Sequence, residues 1–167
     1  MIARPRRSAL YMPASNARAV EKARALDCDV VILDLEDAVA PDMKDTARAA
    51  AAQAVRDGGF GRREVVVRVN ALSTPWGARD LAEIALAGPD AVLVPKIDGP
   101  ADVAAYHAAL AAAPDRTALW VMIETGRAIA GACAPRAGRK PSTPASPRPW
   151  SWKRPTRKPW RSPRSAS

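Results

Sequence analysis

The chain is poor in the residues that most often announce chemistry. It has one histidine, His107, and two cysteines, Cys28 and Cys133. Zinc sites and disulfide frameworks need several such residues at defined spacings, so neither is expected, and both thiols are expected to stay reduced. Aromatic residues make up only 5%. No apolar run approaches the roughly 18 residues of a membrane span, so no membrane partner is expected. The basic start, Met1 to Arg7, is not followed by a long apolar run and does not read as a secretory signal. A cytoplasmic location is the expectation that remains. A Gly-rich phosphate loop and a Ser-His-Asp set are missing as well.

Acidic residues are missing from one part only. All 17 lie in residues 1–130, beside 16 Lys and Arg, for a net charge of −1 there. Residues 131–167 carry the other 10 basic residues, 8 of the 16 prolines and 3 of the 5 tryptophans. The net charge of +9 therefore describes neither part. No Leu, Ile, Val or Met follows Ile129. Such a composition presents no apolar face to a helix or strand, and its prolines interrupt any helix that starts. The tail, 131–167, is expected to be disordered. Trp150, Trp152 and Trp160 among Arg and Lys also fit a nucleic-acid arm that stacks bases. A solvated linker and a wrong reading frame are the other readings, and the last is preferred. Arg, Pro, Ser, Ala and Trp are what GC-rich DNA yields out of frame. Nucleic acid is accordingly not an expected partner.

Residues 1–130 hold what the tail lacks. Short apolar runs, Ala9–Met12, Val30–Leu33, Val65–Val69, Ala91–Val94 and Leu119–Ile123, alternate with helical patterns. The helical patterns cover Asn16 to Ala25, Pro41 to Val55, Ala78 to Ala87 and Pro100 to Ala112. Continuous β-branched runs mark strands buried on both faces. Strand–helix alternation with short loops predicts a parallel sheet. Five units in this length match the repeat of a (β/α)₈ TIM-barrel, which needs about 250 residues to close. The fold class expected is thus α/β, a TIM-barrel type truncated to about its first five β/α units. A five-stranded flavodoxin-like sheet is the structural alternative.

Charged residues stand at the strand ends, where barrels place their chemistry. Asp34, Glu36 and Asp37 follow the second strand, Arg68 and Asn70 the third, Lys96 the fourth and Glu124 the fifth. Glu124 is the candidate metal ligand, because Mg²⁺ takes one or two carboxylates plus waters and substrate oxygens; an ion pair with Arg68 or Arg127 is its structural alternative. Arg68 suits a substrate carboxylate through its planar fork; an ion pair with Asp34 or Glu36 is its structural alternative. Asp34, Glu36 and Asp37 are expected to orient Arg68 or hold metal waters. Arg18 and Lys22, on the first helix, are candidates for the phosphates of a nucleotide carrier, or are solvated helix charges. Lys96 is read as an ion pair rather than a Schiff-base lysine, and His107 as a surface residue.

Several motifs in order resemble the citrate lyase beta-subunit-like family, which includes malyl-CoA and citramalyl-CoA lyases and malyl-CoA thioesterases. They are Ser8-Ala-Leu-Tyr-Met-Pro-Ala-Ser15, Glu21-Lys-Ala23, Val31-Ile-Leu-Asp-Leu-Glu-Asp-Ala-Val39, Val67-Arg-Val-Asn70, Val94-Pro-Lys96 and Met122-Ile-Glu-Thr125. The resemblance implies a homo-oligomeric barrel with Mg²⁺ at its mouth. It implies reverse Claisen cleavage of a short 3-hydroxyacyl-CoA to an acyl-CoA and a keto acid. By the same resemblance Arg68 binds the substrate acid, and Glu124 binds metal and substrate. Gly126 stands where Pro is common, and Asn16 where some members carry an Arg near the CoA phosphates. The family's second metal-binding Asp lies in a Gly-Thr-Asn-Asp-Leu-type motif, and no Asp or Glu follows Glu124 here. Codons that permit Trp152 to Trp160 also permit, one base later, Gly-Asn-Asp-Leu-Leu-Ala-Asn-Leu-Gly. That match motivates the wrong-frame reading and the expectation that this chain's activity is impaired. An inactive barrel fragment with a basic nucleic-acid- or partner-binding tail is the alternative.

Overall fold

The structure is a computed structural model and describes residues 5–133. Residues 131–133, expected to begin the disordered tail, instead close the last helix (Gly126–Cys133), and the rest of the tail, 134–167, lies outside the described residues.

Five strands form one sheet in the order β1 (Ala9–Pro13), β2 (Val30–Asp34), β3 (Glu64–Arg68), β4 (Ala91–Val94) and β5 (Ala118–Val121), with every pair parallel. A flavodoxin-like sheet would place the first strand between the second and third, so the sequential order removes that alternative. The sheet is open: among the described residues β1 and β5 each pair with one neighbour.

The helices are α1 (Ala17–Ala23), α2 (Lys44–Asp57), α3 (Gly77–Ala87), α4 (Pro100–Ala109) and α5 (Gly126–Cys133). Asn16 starts α1, its side chain accepting a hydrogen bond from the Ala19 N–H at 3.0 Å. Local cap chemistry therefore explains the Asn at this position. A 3₁₀ turn over Pro41–Met43 precedes α2, where an uninterrupted helix is predicted. α1 and α4 end two and three residues early, because their last turns tighten into shorter-range bonds such as Arg24 N–H to Glu21 O.

The two faces of the sheet differ. Met12, Val31, Leu33, Val67, Val92 and Val94 join Val20, Ala51, Leu81, Ile84 and Tyr106 of the helices in one core. Fully burying a Leu or Val side chain stabilises by about 1.5–3 kcal/mol. On the opposite face Val30, Ile32, Val66, Ala91 and Leu93 pack with Trp120 and Met122, and among the described residues no helix contributes to this cluster. Alternation along each strand separates the two sets. In β2, Val31 and Leu33 turn to the helices, while Val30, Ile32 and Asp34 turn away. The register pairs Asp34 with Arg68, so both side chains stand on the helix-free face at the carboxyl end.

Candidate active site at the carboxyl ends of the strands

The centre of the site is a buried ion pair between neighbouring strand ends. Arg68 Nε donates to Asp34 Oδ1 at 2.7 Å and Nη2 donates to Oδ2 at 2.6 Å. Asp34 also accepts from the N–H groups of Glu36 and Ala38 at 2.9 and 3.0 Å, which folds the corner after β2 around its carboxylate. Burial pushes the Asp34 carboxyl up. The Arg68 bonds and the two N–H donors outweigh that, and its pKa ends below the usual carboxylate value. The same hydrogen bonds raise Arg68 against the opposing effect of burial.

Further acids surround the guanidinium. Glu36 Oε2 lies 2.8 Å from Arg68 Nη1 without hydrogen-bond geometry, and Asp37 Oδ2 lies 3.5 Å away. The guanidinium carbon sits 5.4 Å from the centre of the Tyr11 ring, a cation–π distance. Glu36 Oε1 takes an ion pair from Lys96 Nζ at 2.6 Å, with Asp37 at 3.8 Å. The bond to Glu36 raises the Lys96 ammonium above its ordinary pKa. That opposes the neutral amine a Schiff-base lysine needs. Lys96 therefore forms the predicted ion pair.

Glu124 does not pair with Arg68 or Arg127. It is exposed, and its Oε1 accepts the backbone N–H of Lys96 at 2.8 Å. Arg68, Glu36, Lys96 and Glu124 thus form one continuous chain of contacts across β3, β2, β4 and β5. Arg18 and Lys22 are exposed on α1, and neither side chain has a hydrogen-bond or ion-pair partner among the described residues. His107 is exposed on α4.

Sequence reasoning missed the layer behind the mouth. Lys44, the first residue of α2, is 5% exposed and donates to Leu35 O, Glu36 O and Asn70 Oδ1 at 2.7, 2.6 and 2.8 Å. Burial lowers its pKa. Asp80, fully buried in α3, accepts from Asn70 N, Asn70 Nδ2 and Arg48 Nε. These residues fix the ends of β2 and β3 from the helix side. The only signal was a Lys and an Asp on helix faces otherwise lined by Ala and Leu.

Among the described residues no group of three or more His, Cys, Asp or Glu side chains is arranged to hold a metal. Asp34 and Glu36 are engaged by cations. Glu124 Oε2 has no partner among the described residues and offers one hard oxygen. Mg²⁺ bound through one or two carboxylates accommodates that single ligand.

A parallel α/β sheet with one helix-covered face and charged groups gathered at its carboxyl end is the layout of a sheet-end enzyme site. Residues 7–134 match the model of the HpcH/HpaI aldolase/citrate lyase family, and the chain belongs to that family. It is 44% identical over 130 residues to a (3S)-malyl-CoA thioesterase of Cereibacter sphaeroides, covering 78% of this chain and 44% of that protein. It is 40% identical over 137 residues to an L-malyl-CoA/beta-methylmalyl-CoA lyase of the same species, covering 77% and 43%. Among solved structures it resembles the citrate lyase beta subunit of Mycobacterium tuberculosis complexed with oxaloacetate and magnesium. The TM-score is 0.58 at 36% identity, over 74% of this chain and 50% of that one. The chain thus spans about half the length of the relatives it matches or less. No helix among the described residues is long and apolar enough to cross a membrane.

Proposed function

We propose that these residues form the first five β/α units of a (β/α)₈ barrel that cleaves the carbon–carbon bond of a short 3-hydroxyacyl-CoA in the presence of Mg²⁺. The unbroken chain of contacts from Arg68 through Glu36 and Lys96 to Glu124 carries this reading. It supports the reading because the Arg68 guanidinium and the Glu124 carboxylate stand at the same end of the sheet.

Arg68 has five N–H donors, and Asp34 takes two of them. Nη1 also donates to Asp37 at 3.5 Å beside Glu36, so the two N–H groups left over are the ones proposed to meet a substrate carboxylate. Asp34, Glu36 and Asp37 hold the fork in place. Glu124 Oε2 is the ligand offered to Mg²⁺, and the bound ion supplies Lewis-acid polarisation of the substrate oxygens. In the reaction the hydroxyl loses its proton and its oxygen becomes the carbonyl of a keto acid. The bond between C2 and C3 breaks. Its electron pair stays on the carbon next to the thioester, which takes up a proton to give the acyl-CoA. Arg18 and Lys22 are positioned on α1 for the CoA phosphates. Malyl-, citramalyl- and citryl-type esters share this chemistry. The cytoplasm and a homo-oligomeric assembly belong to the same proposal.

Hydrolysis of the same thioester to the free acid and CoA is a second reading, favoured by the 44% identical thioesterase. Product analysis with malyl-CoA separates them, since cleavage yields glyoxylate and hydrolysis does not. With only one metal carboxylate among the described residues, the 167-residue chain is expected to bind Mg²⁺ weakly and to turn over malyl-CoA negligibly. Calorimetry tests the site itself. Glu124→Ala should abolish Mg²⁺ binding, and Arg68→Ala should weaken malyl-CoA binding by about ten-fold or more. Binding indifferent to both substitutions sinks the reading.

A further inference from the structure

Lys96 has a left-handed backbone, φ 52°, and it is the one non-glycine residue with positive φ among the described residues. Side chains other than Asn, Asp and His rarely adopt this conformation, and it costs about 1–3 kcal/mol. The strain falls where β4 leaves the sheet. There the Lys96 N–H meets Glu124 Oε1 at 2.8 Å, while Nζ reaches back across the mouth to Glu36 at 2.6 Å. Backbone and side chain thus act in opposite directions, one toward β5 and one toward β2. The next residues of the same loop continue the attachment. The Thr125 hydroxyl donates to Asp98 Oδ1 at 2.6 Å, with Ile97 O at 3.2 Å. The exit of β4 and the Glu124–Thr125 segment are therefore joined at three points.

From this geometry we infer that Lys96 is a positioning residue. Its left-handed backbone holds the Glu124 carboxylate by one oxygen, so that only Oε2 is offered as a ligand. The hold needs no substrate and no ion. What it is for, a single-oxygen contact to Mg²⁺, rests on the functional reading above. Asp34 cannot replace it, because both its oxygens are bonded to Arg68.

The test uses the whole chain and two kinds of variant. Val is strongly disfavoured at positive φ, whereas Asn tolerates it. Lys96→Val should speed hydrogen exchange of the residue-96 amide by about ten-fold, the loss of one charge-assisted hydrogen bond. Lys96→Asn should leave that exchange near wild type. Glu124→Ala should speed it as Val does, with the amides inside β4 unchanged, and this arm does not depend on the Val variant folding. Mg²⁺ affinity, read by calorimetry, should fall about ten-fold in Lys96→Val and much less in Lys96→Asn. Exchange unchanged by both Lys96→Val and Glu124→Ala overturns the inference. Exchange that moves while Mg²⁺ affinity stays constant overturns the positioning role and leaves a merely structural bond. Failure of the wild-type chain to bind Mg²⁺ sinks the functional reading instead, and the exchange result still decides whether Lys96 holds Glu124.

Discussion

Asp34 and Arg68 occupy the same register position on neighbouring strands and close a two-bond fork of 2.7 and 2.6 Å at the carboxyl end of the sheet. Both are buried, so each depends on the other. Breaking such a pair from one side leaves an uncompensated charge. Asp34→Asn is therefore expected to lower stability by about 3 kcal/mol, measured by chemical denaturation. Arg68→Lys keeps the charge but loses the fork, and it should weaken malyl-CoA binding nearly as much as Arg68→Ala does.

The pH dependence has a definite sign. The folded Asp34 carboxyl lies below its unfolded value of about 3.9. Its contribution to stability is therefore complete above that value and is lost as pH falls through the folded pKa. Asp29, held low by Arg7 and the Ser8 N–H, adds to the same trend. Melting temperature should fall steeply below about pH 4, and less steeply in Asp34→Asn. Equal acid slopes in the two proteins would refute the assignment to Asp34.

Lys44 carries a buried charge satisfied by neutral oxygens and lies 5.3 Å from the Trp76 ring. Lys44→Met keeps the length of the side chain and leaves Asn70 Oδ1 without a donor, while Leu35 O keeps Asn70 Nδ2 and Glu36 O keeps the Val39 N–H. A loss of about 2 kcal/mol is expected, visible in denaturant melts. The corner carrying Glu36 should loosen with it, seen as faster amide exchange at residues 35–37.

Gly77 has no room for a side chain. A Cβ there would meet Ala71 O at 2.2 Å, a backbone atom that cannot turn away. Gly77→Ala should cost about 2–3 kcal/mol, whereas Gly99→Ala, which meets nothing within 4 Å, should cost far less.

Most of the sheet could be read from the chain. Val30–Leu33 and Ala91–Val94 announced β2 and β4 within a residue because both faces of each strand are buried and no polar residue interrupts them. Strand-end position also pointed to Arg68, Glu36, Lys96 and Glu124. Their partners were harder to see. Glu124 was weighed against an ion pair, yet it takes a backbone N–H from a residue on another strand. Such a contact leaves no side-chain pattern. Lys44 and Asp80 look like solvated helix residues, since burial of a charge on an Ala-rich face is decided by what packs opposite. The left-handed turn at Lys96 lacks the glycine that usually signals it.

The register that aligns Asp34 with Arg68 also sets what the gene can tolerate. Side chains alternate between the helix layer and the mouth, so one codon inserted between Val30 and Asp34 would turn the carboxylate into the aliphatic layer and a leucine toward Arg68. Point substitutions in β2 should therefore be graded in effect. Single-residue insertions and deletions there should be all-or-none, while the loop at Gly58–Gly61 should absorb them.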